Sequence, residues 1–195
     1  MNPTLFQGEL VRLKGREPEL FASLLSRWNR DSEYQRLLDS ETPRVVSKKR
    51  VQDWIEKDLI RDSYRDFLFI IHTLQDDRPI GFIGLDGITW NSGDCFVFIA
   101  IGERENWGKG YGTDAMRVIL RYAFTELNLH RVSLDVFGYN PRAIRSYEKA
   151  GFVIEGKVRG LLNREGQRYD LIFMGILKED WERSASAKGD QEKSV

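Results

Sequence analysis

DCFVFIAIGERENWGKGYGTDAMRVILRYAFTEL, Asp94 to Leu127, holds three patterns in direct succession, and their order decides the fold. Cys95 to Ile101 is an apolar run rich in Phe, Val and Ile, too short for a free-standing helix, and reads as a strand. A turn follows with glycines at alternate positions, Gly108, Gly110 and Gly112. Thr113 and Asp114 then open a helix whose apolar residues, Ala115, Met116, Ile119, Leu120, Ala123 and Leu127, recur at helical spacing. Glycines let backbone N–H groups converge without side-chain obstruction, and a helix N-terminus favours negative charge. The stretch therefore points to an anion site, and not merely to a turn that needs positive φ.

Two common phosphate motifs do not fit. Lys109 lies between glycines and no Lys-Ser/Thr pair follows, so the GxxxxGK[ST] loop is absent. The spacing GxGxG differs from GxGxxG, and the bulky turn Glu103 to Trp107 separates the strand from the glycines, which weighs against a dinucleotide fold despite Asp135 further on. Trp107 to Gly112, WGKGYG, instead resembles the acetyl-CoA pyrophosphate loop of the GNAT N-acetyltransferase superfamily. Gly110 and Gly112 match its two small positions, while Trp107 stands where Gln or Arg is usual. Leu134 to Phe152, LDVFGYNPRAIRSYEKAGF, is similar to the second hallmark of that superfamily: a strand, an Asn, then a Tyr-bearing helix ending in Gly-Phe. The chain as far as Trp181 looks most like the branch containing ribosomal-protein N-terminal and spermidine acetyltransferases.

Outward from this core, seven strands can be read: 9–14, 67–73, 80–87, 95–101, 131–136, 153–159 and 169–177. Pro18 starts a helix with Leu20, Phe21, Leu24, Leu25 and Trp28 on one side. Ser47 caps another with Val51, Trp54, Ile55 and Leu59 inward, and Pro141 to Ala150 forms a third, stopped by Gly151. The strand at 131–136 is expected to run parallel to 95–101 across the helical crossover. The fold class is therefore α/β (α+β), a mixed and mostly antiparallel sheet of about seven strands flanked by helices. The resemblance implies the acyl-CoA N-acyltransferase fold, in which a bulge splays the fourth and fifth strands to admit pantetheine. Residues 1–183 are read as a single acetyltransferase domain and 184–195 as a disordered polar tail.

Composition narrows the partners. Lys plus Arg and Asp plus Glu both number 30, so no net charge recruits nucleic acid or an anionic membrane. No apolar run approaches a membrane span, and the default location is cytoplasmic. One cysteine excludes an intrachain disulfide and a multi-cysteine metal site, and Cys95 reads as a buried hydrophobe. No metal is expected. Terminal strands in this superfamily often meet another subunit, so a homodimer is expected, with Phe173 and Ile176 as apolar contact residues.

Moving an acetyl group from a thioester to an amine requires the amine to lose a proton, since an alkylammonium has a pKa of about 10. It also needs the reactants held together, donors for the developing oxyanion, and an acid for the departing thiolate. Backbone N–H groups around Ile99 and Ile101 sit beside the phosphate loop and can reach the carbonyl. Tyr147 follows Asn140 by two helical turns. The resemblance gives the Tyr the acid role and Asn140 a contact to the cofactor arm. It assigns the pyrophosphate to Trp107, Gly108, Lys109, Gly110, Tyr111, Gly112 and Thr113, with Arg145 among the nearby cations. Asp135 is a base candidate with Glu103 and Glu105 as alternatives, and Trp28 is a candidate for the acceptor wall. The expected function is direct acetyl transfer from acetyl-CoA to a primary amine, on a small molecule, a polyamine or a protein N-terminus. A non-catalytic acyl-CoA sensor and a dinucleotide-dependent oxidoreductase are the alternatives.

Overall fold

The computed structural model describes residues 5–53 and 67–184. Seven strands form one sheet: β1 (Val11–Gly15), β2 (Phe67–Thr73), β3 (Pro79–Thr89), β4 (Asp94–Ile101), β5 (Arg131–Phe137), β6 (Val153–Arg164) and β7 (Gln167–Leu177). Their spatial order is β1-β2-β3-β4-β5-β7-β6. Every neighbouring pair is antiparallel except β4 and β5, which are parallel as the crossover requires. Among the described residues, helices α1 (Pro18–Trp28), α2 (Ser32–Leu38), α3 (Tyr111–Thr125) and α4 (Pro141–Ala150) flank the sheet.

Strand alternation divides the core in two. Ile71, Ile83, Val97, Val132 and Leu134 point to one face and pack with Met116, Ile119, Leu120 and Phe124 of α3. Ile70, Phe82 and Ala100 point to the other and meet Phe21, Leu24, Leu25 and Trp28 of α1. α4 lies beside α3, its Ala143, Ile144 and Tyr147 against the first cluster.

Several sequence expectations shift for physical reasons. The first strand starts at Val11 rather than Glu9 because the N–H groups of Glu9, Leu10 and Val11 donate to the buried carboxylate of Asp114 at 3.1, 2.8 and 3.0 Å. The central helix begins at Tyr111, before Thr113, on a left-handed Gly110 with φ of 88°. The last two strands are longer than read and joined by two residues, Glu165 and Gly166, with φ of 52° and 77°. That is the mirror-image turn whose twist suits a hairpin. Ser47 does cap a helical stretch, at 48–53, but Trp54, Ile55 and Leu59 lie outside the described residues. So do 185–195 of the expected tail, whereas Ser184 itself is helical, in a stretch described over 178–184. Ile176 is only 2% exposed and belongs to the core, not to an apolar surface.

Candidate active site

β4 and β5 pair only from Asp94↔Arg131 to Phe96↔Ser133, then diverge. The expected bulge is not what parts them. The register of β4 with β3 runs unbroken from Asp86↔Phe96 to Gly81↔Ile101, and the irregularity lies beyond it, between Asp86 and Thr89. Gly102 donates its N–H to Ile80 of β3 at 2.8 Å, so by antiparallel alternation Ile99 and Ile101 turn their backbone groups away from β3 and into the gap. The Ile101 carbonyl accepts the indole N–H of Trp107 at 2.8 Å.

The gap opens into a cleft of about 350 Å³. One end is the glycine turn. Gly110 caps α3 with no side-chain acceptor, so the first N–H groups of that helix are left for an incoming anion. Gly108, Gly110, Tyr111, Gly112 and Thr113 all line the cleft, as do Arg145 and Lys149 of α4, which add positive charge. Lys109 is exposed and does not line it. A Cβ at Gly112 would point to Ser146 Oγ at 3.7 Å and to Ile99 and Ile101 at 3.9 Å, so the missing side chain is part of the slot. Across that floor the Thr113 and Ser146 hydroxyls share a 2.7 Å hydrogen bond, tying α3 to α4. These are fitting surroundings for an elongated molecule with a phosphate at one end.

The wall opposite is built by α4. Asn140 is buried and caps that helix, its Oδ1 accepting from Ala143 N–H at 3.1 Å, which leaves Nδ2 as its donor. Tyr147 lines the cleft with Asn140 and Ile99. Burial, and secondarily the carboxylate of Asp135, push the Tyr147 phenol well above its ordinary pKa, so it keeps its proton throughout the neutral range. Arg142 lies 4.0 Å over the Trp107 ring, a cation–π contact that joins α4 to the glycine turn. Trp107 thus holds the turn in place by its indole N–H and its ring face, a role that follows from its departure from the usual Gln or Arg.

The remaining candidates are placed elsewhere. Asp135 sits between Leu134 and Val136, and alternation turns it to the face opposite theirs; burial raises its carboxyl pKa. Glu103 is ion-paired with Arg27 at 2.5 Å and lies off the cleft. Trp28 is 2% exposed beneath Gly102 in the second core cluster, not on the cleft wall. In its stead the structure brings Tyr34, Leu37 and Leu38 of α2 and Asn106 to the cleft, none of which any motif marks. Among the described residues no cluster of His, Cys, Asp and Glu could hold a metal ion.

Comparisons with known proteins bear on the fold and the family. Residues 11–153 match the family model described as "Acetyltransferase (GNAT) domain". The SPbeta prophage-derived uncharacterized N-acetyltransferase YokL of Bacillus subtilis is 31% identical over 186 residues, 93% of this chain and 98% of that protein. The probable N-acetyltransferase YjcK of the same organism is 35% identical over 137 residues, covering 70% of this chain and 74% of its own. Among solved structures, spermidine N-acetyltransferase from Vibrio cholerae in complex with CoA and spermine superposes with a TM-score of 0.76 at 26% identity, over 88% of this chain and 97% of that one.

Proposed function

The chain belongs to the GNAT acetyltransferase family and is an acetyl-CoA-dependent N-acetyltransferase, and from that premise we propose that it acetylates a primary amine directly, with Tyr147 as the acid. The observation that carries this reading is the continuity of one cleft from the uncapped N-terminus of α3 to the Tyr147 phenol. The α3 N-terminus with Gly110 and Gly112 holds the pyrophosphate, while Arg145 and Lys149 balance phosphate charge. Asn140 Nδ2 and the backbone of Ile99 and Ile101 fix the arm along the parted strands.

Acetyl-CoA supplies an acyl carbon already activated as a thioester. The free amine attacks that carbon, a C–N bond forms and the C–S bond breaks. Tyr147 gives its proton to the departing sulfur, and the proton lost by the amine passes to water and through it to Asp135, whose carboxyl burial biases towards the protonated form. The N–H of Ile99 or Ile101 faces the oxygen on which charge develops. We also propose that the active particle is a homodimer. Its acceptor is an amine of a small molecule or a protein N-terminus, and the neighbour solved with spermine places polyamines among the compounds to be tried.

The test is Tyr147→Phe, which removes one oxygen and keeps the ring packed against Phe152 at 6.1 Å. General acid catalysis contributes about 10²–10⁴-fold. We expect kcat to fall at least tenfold while acetyl-CoA affinity, read by calorimetry, stays within about twofold. A thioester with a more acidic thiol should recover part of the loss. Wild-type kcat in the variant would remove Tyr147 from the acid role.

A further inference from the structure

Asn106 ends the short 3-10 turn Arg104–Asn106 and is 2% exposed, yet neither its Oδ1 nor its Nδ2 has a hydrogen-bond partner. The hydroxyl of Tyr34, 3% exposed on α2, is likewise unpartnered. Both residues line the cleft, with Leu37 and Leu38 beside them. Buried polar atoms are nearly always hydrogen-bonded, and leaving them unpaired is costly, so two such groups in the lining of one cleft await a partner that the fold itself does not provide. Neither group ionises in the working range: Asn carries no titratable proton, and burial with the nearby Glu103 carboxylate raises the Tyr34 phenol.

The charge around this end of the cleft is also distinctive. Among the described residues no Asp or Glu lines the cleft. Every acid within three residues of Tyr34 or Asn106 in sequence is held by an arginine: Asp31 by Arg104 at 2.5 and 2.6 Å, Glu33 by Arg104 at 2.6 Å, Glu103 by Arg27 at 2.5 Å and Glu105 by Arg78 at 3.2 Å. An extended polycation needs unpaired carboxylates to replace its water, and the lining residues include none.

Resting on the acetyltransferase reading, we propose that Asn106 and Tyr34 determine acceptor specificity by hydrogen bonding a neutral polar group next to the amine. The acceptor class is then a monoamine bearing a carboxamide or hydroxyl near its amino carbon, with an apolar body against Leu37 and Leu38. The amide of Asn106 both donates and accepts, so it pairs with a carboxamide through two complementary bonds. A pocket built to hydrogen-bond a substrate rejects an analogue that lacks the group, because its own buried atoms are again left unpaired.

Three acceptors test this at saturating acetyl-CoA, with CoA release as the readout: leucinamide, 3-methylbutylamine, which is the same skeleton without the carboxamide, and spermidine. Amine basicity differs between them, so the deciding quantity is how each preference changes between wild type, Asn106→Leu and Tyr34→Phe, where basicity cancels. We expect wild type to turn over spermidine least efficiently. The preference in kcat/KM for leucinamide over 3-methylbutylamine should fall at least tenfold in Asn106→Leu and at least threefold in Tyr34→Phe. Acetyl-CoA affinity by calorimetry should remain that of wild type in both. An unchanged preference in the two variants, or spermidine as the best wild-type acceptor, would overturn the proposal. So would a loss of acetyl-CoA affinity in both, which would assign the residues to the cofactor. Absence of acetyl-CoA binding and of CoA release with every amine in wild type would instead overturn the acetyltransferase reading beneath it.

Discussion

Gly110 and Gly112 look equivalent in the sequence but serve the turn by different physics. Gly110 has φ of 88°, and a Cβ there would press on Leu10 Cδ1 at 3.2 Å, so any side chain strains the backbone. Gly112 has ordinary helical φ, and a Cβ would meet neighbours only at 3.7–3.9 Å; it strains nothing but occupies the slot. Gly110→Val should therefore lower both the melting temperature and acetyl-CoA affinity. Gly112→Ala should weaken acetyl-CoA binding at least fivefold with no loss of melting temperature, because alanine removes backbone freedom from the unfolded chain. Calorimetry alongside thermal unfolding separates the two, and full affinity in Gly112→Ala would show that the cofactor does not pass over this residue. Tyr147 makes a prediction of another kind. Its phenol pKa is raised by burial first and by Asp135 second, and a raised pKa extends the protonated, acid-competent form to higher pH. Ionisation of this group should consequently produce no alkaline fall in kcat below about pH 10, its ordinary value. A descending limb near pH 8 or 9 that vanishes in Tyr147→Phe would contradict that sign.

At the scale of elements, α2 has only seven residues, too few to persist without help, and its help comes from Asp31. That carboxylate accepts from the N–H groups of Glu33 at 2.9 Å and Tyr34 at 3.4 Å and is gripped by Arg104, which holds its pKa at about 2. A carboxyl lowered on folding contributes stability that is fully present above its unfolded value near 4 and is lost as pH falls through about 2. Asp31→Asn keeps the cap and loses the charge, so its melting temperature should lie below wild type at pH 6 and converge with it near pH 2. Asp31→Ala loses the cap as well, a further cost of about 1 kcal/mol. Since α2 carries Tyr34, Leu37 and Leu38 to the cleft, acceptor KM should rise in Asp31→Ala while acetyl-CoA affinity holds. Equal effects on both substrates would show that α2 does not form the acceptor wall. This element also marks where sequence reading stops. The seven strands, the crossover and the glycine turn are legible because periodicity and glycine spacing are local signals. The contacts that finish the site are not local: Asp114 with the N-terminal residues 9–11, Arg104 with Asp31, and Arg142 over Trp107 join residues from 35 to about 105 positions apart. Asn106 lies inside the quoted stretch but shows its unpartnered amide only once the neighbours that bury it are in place.

Among the described residues the two faces of the sheet are covered unequally. α1 packs on β2, β3 and the latter part of β4 through Ile70, Phe82 and Ala100. Beyond that cover, β6 forms the edge of the sheet and leaves Val153, Ile154, Val158 and Leu161 between 42% and 58% exposed, with Phe173 of neighbouring β7 at 36%. An uncovered edge strand with a run of large apolar side chains invites pairing with another chain. A second copy related by a two-fold axis would present the same strip to itself, the commonest closed arrangement. Sedimentation equilibrium at micromolar concentration should accordingly give twice the chain mass of 22.7 kDa. Val158→Glu combined with Leu161→Glu should shift it to a single chain, since charges opposed across a two-fold axis repel. The same variant also reports whether assembly shapes the site. The tip of the β6–β7 hairpin holds the end of α2 and the residue after it, where Glu165 pairs with Arg36 at 2.7 Å and Arg164 donates to the Asp39 carbonyl at 2.6 Å. If pairing of β6 steadies that hairpin, the single-chain variant should show a raised acceptor KM with acetyl-CoA affinity intact. A wild-type protein that sediments as one chain would refute the dimer outright. A dissociated variant with wild-type acceptor KM would confine the role of the interface to assembly.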